Sequence, residues 1–117
     1  MTHDAKRLLK KYGLWNPSTL ADFAGVDLET AARWIDETED LPAYIISLLD
    51  EMDIWNISEI KEYTPDMEAC MHELFQISKE LQSEADIAED KKNLRTLLKT
   101  LDKLNRQNMR KTQTFAR

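Results

Sequence analysis

Residues 17–36 read Pro17-Ser-Thr-Leu-Ala-Asp-Phe-Ala-Gly-Val-Asp-Leu-Glu-Thr-Ala-Ala-Arg-Trp-Ile-Asp36, and their spacing predicts two short helices joined by a tight turn. Asn16 is placed to cap the first of them, with Pro17 at the first helical position, where a missing N–H costs nothing. Leu20, Ala21, Phe23 and Ala24 form its apolar face, and Gly25 supplies a turn residue free to take positive φ. Asp27 caps the second helix, which carries Leu28, Ala31, Ala32, Trp34 and Ile35. Two short helices cross steeply only where a small residue sits at the contact; Ala21 is that residue, and Val26 plugs the elbow.

Outward from this corner, helix breakers are few: Gly13, Gly25, Pro17, Pro42 and Pro65. They divide the first part of the chain into helices, and no period-two alternation supports a strand. A first helix, capped by Thr2 or Asp4, carries Ala5, Leu8, Leu9 and Tyr12. A fourth opens at Pro42 with Tyr44, Ile45, Leu48, Leu49 and Met52, and a short fifth runs from Asn56 or Ser58 through Tyr63. A sixth opens at Thr64-Pro65, after which no breaker remains. The expected fold is all-α: an N-terminal helix-turn-helix bundle followed by a long C-terminal helix or a helical hairpin.

Beyond Pro65 the apolar residues thin to a seam. Met67, Met71, Leu74, Leu81, Leu94, Leu97, Leu101 and Leu104 recur at helical spacing between charged flanks. Such narrow seams need a partner surface, either the N-terminal domain or a second chain, and these eight residues are the candidate dimerisation set. The expected organisation is a helix-turn-helix domain over 1–64, an oligomerisation segment over 65–106 and a basic, flexible tail over 107–117.

A weak duplication crosses the first domain. Residues 7–23 align without gaps to 47–63, with identities at Leu8/Leu48, Leu9/Leu49, Trp15/Trp55, Asn16/Asn56 and Ser18/Ser58. On this reading helices one to three and four to six are two copies of one unit, each with a Trp under a joint and an Asn capping the next helix. Convergence of helix–corner–helix chemistry is the plainer alternative.

Charge is sharply segregated. The formal net charge of −6 combines six Lys/Arg against thirteen Asp/Glu in residues 1–64, Lys79 against eight Asp/Glu in residues 65–90, and nine Lys/Arg against Asp102 alone in residues 91–117. A basic end on an acidic body points to charged partners. The single cysteine, Cys70, cannot form an internal disulfide and sits in an apolar pattern, which predicts a buried thiol in a reducing, cytoplasmic setting. No run approaches the length of a membrane span, and the first residues have no signal-peptide character.

The corner at Ala21, Gly25, Val26 and Trp34, followed by Pro42 and Leu48-Leu49, resembles the helix-turn-helix of phage Cro/repressor-type regulators, the xenobiotic-response-element class. The resemblance covers about residues 5–52. It implies that the second helix of the motif enters the major groove of double-stranded DNA, that Ser18, Thr19, Leu28, Thr30 and Arg33 face the nucleic acid, and that the chain acts as a dimeric transcriptional repressor. Lys6, Arg7, Lys10 and Lys11, with Lys91, Lys92 and Arg95, are the cations available for phosphates. The sequence departs from the family just after that helix: Asp36, Glu37, Glu39 and Asp40 place four carboxylates in five positions, where phosphate would be repelled.

Catalytic constellations are missing. Neither a Gly-rich phosphate loop nor a Ser/His/Asp set appears, and His72 with Cys70 and Glu68 makes a poor metal site on one helix. No cofactor, small-molecule substrate or enzymatic activity is expected. Two readings remain: a DNA-binding regulator, or a protein-interaction module that reuses the fold to engage a basic partner through Asp36–Asp40, as an antirepressor or DNA mimic would. A non-enzymatic oligomeric adaptor is a third.

Overall fold

In a computed structural model describing residues 3–82 and 87–115, the side chains of 87, 88 and 111–115 excepted, six helices follow one another. They are α1 (His3–Lys11), α2 (Pro17–Ala24), α3 (Leu28–Ile35), α4 (Ala43–Ile54), α5 (Pro65–Gln82) and α6 (Ile87–Phe115), with no strand among the described residues. Residue Thr2, one of the two expected caps of the first helix, lies outside them.

The first four helices end on one device. A left-handed residue follows the last turn, at Gly13 (φ 69°), Gly25 (φ 69°), Glu37 (φ 66°) and Asn56 (φ 54°). The next amide then reaches back to a carbonyl of the final turn: Leu14 to Leu9 at 2.7 Å, Val26 to Ala21 at 3.1 Å, Thr38 to Arg33 at 3.1 Å and Ile57 to Met52 at 3.1 Å. This satisfies carbonyls that a helix end otherwise leaves open. After three of the four caps the following residue is apolar and turns inward; Leu14 and Ile57 are fully buried and Val26 packs against the core. After α3 it is the exposed Thr38.

Asn56 therefore closes α4 and does not open a helix. Asn16, with φ −154°, accepts hydrogen bonds from the Ser18 and Thr19 amides at 2.9 and 3.2 Å and is a true N-cap. Its aligned counterpart Asn56 is a left-handed C-terminal cap. Asparagine suits both roles, so sequence similarity at this position concealed opposite geometries. The expected fifth helix over Asn56–Tyr63 is absent, and with it the tandem-unit reading: α1–α2–α3 has no three-helix copy downstream. Trp15 and Trp55 both pack against the core at their edges. Each is half-buried, with Lys6 and Lys10 over one ring at 5.3 and 5.4 Å and Lys99 over the other at 5.9 Å.

Residues 57–64 instead form a non-helical strap whose backbone bonds to distant groups. The Ile60 amide donates to the Lys11 carbonyl at 3.0 Å, and the Tyr12 hydroxyl donates to the Ile57 carbonyl at 3.2 Å. Tyr63 donates to the Tyr12 carbonyl at 2.6 Å and sets its ring edge against Phe23. From α6, Asn105 Nδ2 donates to the Ser58 carbonyl at 3.1 Å and Asn108 Nδ2 to the Glu62 carbonyl at 3.3 Å. Ile57 and Ile60 fill the space beneath.

α5 is the central pillar. Its Glu68, His72 and Phe75 side faces α2, where His72 Nε2 lies 3.4 Å from the Asp22 carboxylate and Phe75 meets Phe23. Cys70 lies about half a helical turn around from His72, and its thiol donates to the Leu97 carbonyl of α6 at 3.2 Å. The C-terminal segment is thus an antiparallel hairpin, with Ser78 and Leu81 beside Leu94 and Arg95, and Cys70 beside Leu97. The seam expected to dimerise is closed by the chain itself. Met67, Met71, Leu74, Leu94 and Leu101 are buried in the single core, and Leu81, Leu97 and Leu104 pack against it. In the segment expected as a basic tail, the backbone of α6 stays helical to Phe115, and residues 116 and 117 lie outside the described residues.

Asn105 is 1% exposed and is the buried polar link between α6 and the strap. Asn105→Ala leaves the Ser58 carbonyl without its donor and is expected to cost about 1–3 kcal/mol in urea unfolding. Gln107→Ala, at an exposed position of the same helix, should change stability by less than about 0.5 kcal/mol.

Candidate functional site: the acidic corner

The α2–α3 corner has the predicted geometry. Gly25 takes the left-handed turn, Ala21 lies at the crossing with 8% exposure, and Ala31 and Trp34 are buried. α3 presents Leu28, Glu29 and Asp36 to solvent, with Thr30, Ala32 and Arg33 partly covered.

Arg33, the only cation on α3, is enclosed by its own neighbours. Its Nε donates to Glu39 Oε2 at 3.1 Å, Nη1 lies 3.4 Å from Glu29 Oε1, and Nη2 donates to Thr30 Oγ1 at 3.2 Å. The hydrogen bond to Glu39 is the main cause that raises the guanidinium pKa further. Thr30 and Arg33, the two residues expected to read bases, are therefore joined to each other and to two carboxylates. Such exposed pairs contribute little to stability. Their larger effect here is to neutralise the one positive group on the helix.

The turn that follows is built from acids. Asp36 Oδ1 accepts from the Thr38 hydroxyl at 2.7 Å and from its amide at 3.0 Å, and these bonds hold its carboxyl below the ordinary range. Glu37 occupies a left-handed position that favours glycine. Asp36, Glu37, Glu39 and Asp40 are all exposed.

The remaining expected phosphate contacts divide by location. On α1, Arg7 pairs with Asp4 at 3.0 Å and Asp53 at 3.8 Å, Lys11 pairs with Asp53 at 3.7 Å, and Lys6 and Lys10 cover Trp15. Ser18 and Thr19 border a shallow depression of about 410 Å³ that also holds Asp22 and Glu68, and the α2 amides they carry are already taken by Asn16. Lys91, Lys92 and Arg95 are exposed on α6, which packs on the face of α5 turned away from α2. The structure does not bring them together with α3. These paired states of Arg7, Lys11 and Arg33 were not legible from composition, because each depends on a carboxylate from another turn or helix.

Other chemistry is sparse. Cys70 is buried, and desolvation pushes its thiol up to about 11, against thiolate reactivity. A cleft of about 460 Å³ between α4, α5 and α6 is lined by Ser47, Glu51, Ser78, Lys91 and Arg95 among others, without a base positioned on either hydroxyl. Among the described residues no group of three or more His, Cys, Asp or Glu is placed to hold a metal, and no helix is long and apolar enough to cross a membrane. Comparison with protein-family models, curated proteins and solved structures gives no match.

Asp27 caps α3 by accepting from the Thr30 amide at 2.8 Å, and hydrogen bonds to Thr30 hold its carboxyl below the ordinary range. A depressed carboxyl stabilises the fold above the unfolded-state pKa and loses that contribution as pH falls through the folded one. Thermal unfolding followed from about pH 6 to about pH 3 should show the melting temperature falling in acid, and Asp27→Asn, which keeps an acceptor but cannot titrate, should flatten part of that fall.

Proposed function

We propose that this chain is a non-enzymatic interaction protein that uses a helix-turn-helix scaffold to present an acidic face, α3 with residues 36–40, to a cationic surface of a partner protein. The observation that carries this reading is the enclosure of Arg33 by Glu29 and Glu39. It sets two carboxylates against the single positive group of α3, on a surface where Asp36, Glu37, Glu39 and Asp40 are exposed. Complementary charge of this kind steers partners and excludes like-charged ones, DNA among them.

A second reading, a repressor-like DNA-binding regulator, is favoured by the corner itself, with its exposed Leu28 (57%) and Ser18. On that reading Arg33 must leave Glu29 and Glu39 before it reaches a base or phosphate.

The two readings separate in one titration series at low salt, about 50 mM, where screening is weak. A short arginine-rich peptide and a DNA duplex serve as probes, read by fluorescence anisotropy. The acidic-face reading expects Asp36→Asn, Glu37→Gln, Glu39→Gln and Asp40→Asn together to weaken peptide binding at least tenfold. Asp50→Asn with Asp66→Asn, exposed acids on other helices, should leave it near wild type. Equal losses in both variants would contradict a localised face. Duplex binding that rises on freeing Arg33 with Glu29→Gln and Glu39→Gln, and vanishes with Arg33→Ala, would favour the regulator.

A further inference from the structure

On α6, Lys92, Arg95, Lys99, Lys103, Arg106 and Arg110 recur at intervals of three and four residues, and all six are exposed. At 100° per residue they fall within an arc of about 80°, and from first to last they run about 27 Å along the helix. The buried face of the same helix, Leu94, Leu98, Leu101 and Asn105, points elsewhere, into α5 and the strap.

The cations that precede α5 are partnered. Arg7, Lys11, Arg33 and Lys61 sit in ion pairs, and Lys6 and Lys10 lie on Trp15. On α6, Arg106 pairs with Asp102 and Lys99 lies over Trp55, whereas Lys92, Arg95 and Lys103 form no ion pair among the described residues. Exposed Lys92, Arg95 and Lys103 keep their charge toward water on one side of α6.

We propose that this stripe is a binding surface for the phosphate backbone of double-stranded DNA, read without base specificity. A straight row of cations the length of a few helical turns of protein matches a linear polyanion, and each neutralised phosphate releases a counterion. An anionic membrane fits less well: surface-lying helices bury an apolar face in the lipid, and the apolar face of α6 is already inside the fold. A single strand fits less well too, because base stacking needs an open aromatic face, and among the described side chains the ring beside the stripe, Trp55, lies under Lys99. The acidic body does not prevent contact. α3 packs on α2, which lies on a different side of α5 from α6, and at physiological salt the field of exposed charges decays over about 8 Å. The surface is separate from the α3 face and does not depend on that face binding anything.

The test is a salt titration of the full chain on a mixed-sequence duplex, with variants whose folding is checked by circular dichroism. Wild type should bind at low salt with a log–log slope of about −4 to −5, one unit per neutralised phosphate. Lys92→Gln, Arg95→Gln and Lys103→Gln together should lower the magnitude of that slope by about 3 and weaken binding at least tenfold. The charge-preserving set Lys92→Arg, Arg95→Lys and Lys103→Arg should bind like wild type, and so should Thr30→Ala with Arg33→Ala. Absence of binding at low salt, an unchanged slope in the glutamine variant, or equal loss in the charge-preserving set would each overturn the assignment. Tighter binding to anionic vesicles or to single-stranded DNA than to duplex would overturn it, as would salt-sensitive self-association that consumes the same lysines.

Discussion

The backbone of residues 57–62 has no helix to take its hydrogen bonds, and distant side chains supply the partners instead. Tyr12 reaches the Ile57 carbonyl from just beyond α1, Asn105 reaches Ser58 from α6, and Asn108 reaches Glu62. A buried carbonyl without a donor costs more than the same bond contributes when made, so the buried bond at Ile57 and the partly buried one at Ser58 hold the strap in place. One strap thereby ties the start of the chain to its last helix. It also sets the register of the α5–α6 hairpin, because Asn105 meets Ser58 only when Leu94, Leu98 and Leu101 face α5.

That register decides where charge goes. With the strap in place, α5 has α2 on one side, through His72 and Phe75, and α6 on the other, through Cys70. The acidic corner and the basic stripe consequently face apart instead of cancelling across a shared surface. A chain of net charge −6 thereby carries its acidic corner and its basic stripe on separate helices.

The helix-turn-helix was legible in the sequence because local chemistry determines it: Pro17 after Asn16 marks a helix start, Gly25 a left-handed turn and Asp27 the next cap. The all-α class was legible for the same reason. Asn56 was not, because the residue that caps helix N-termini also tolerates the left-handed conformation that ends them, and its neighbours Trp55 and Ser58 copy Trp15 and Ser18. The seam after Pro65 showed which residues seek apolar contact but not whether the contact belongs to this chain; hairpin closure depends on Asn105 and the strap, far away in sequence. The acidic stretch at 36–40 was plain, whereas the neutralisation of Arg33 needed the fold to carry Glu39 back beside it.

Native-state hydrogen exchange of the Ile57 and Ile60 amides tests the strap most directly. Both are hydrogen-bonded, to Met52 and Lys11, above fully or almost fully buried side chains. They should exchange only through the same global opening as the core amides of α5, and with the same dependence on denaturant. Exchange at the rate of an unstructured peptide, with α5 still protected, would contradict the account and would leave the position of α6 without its anchor.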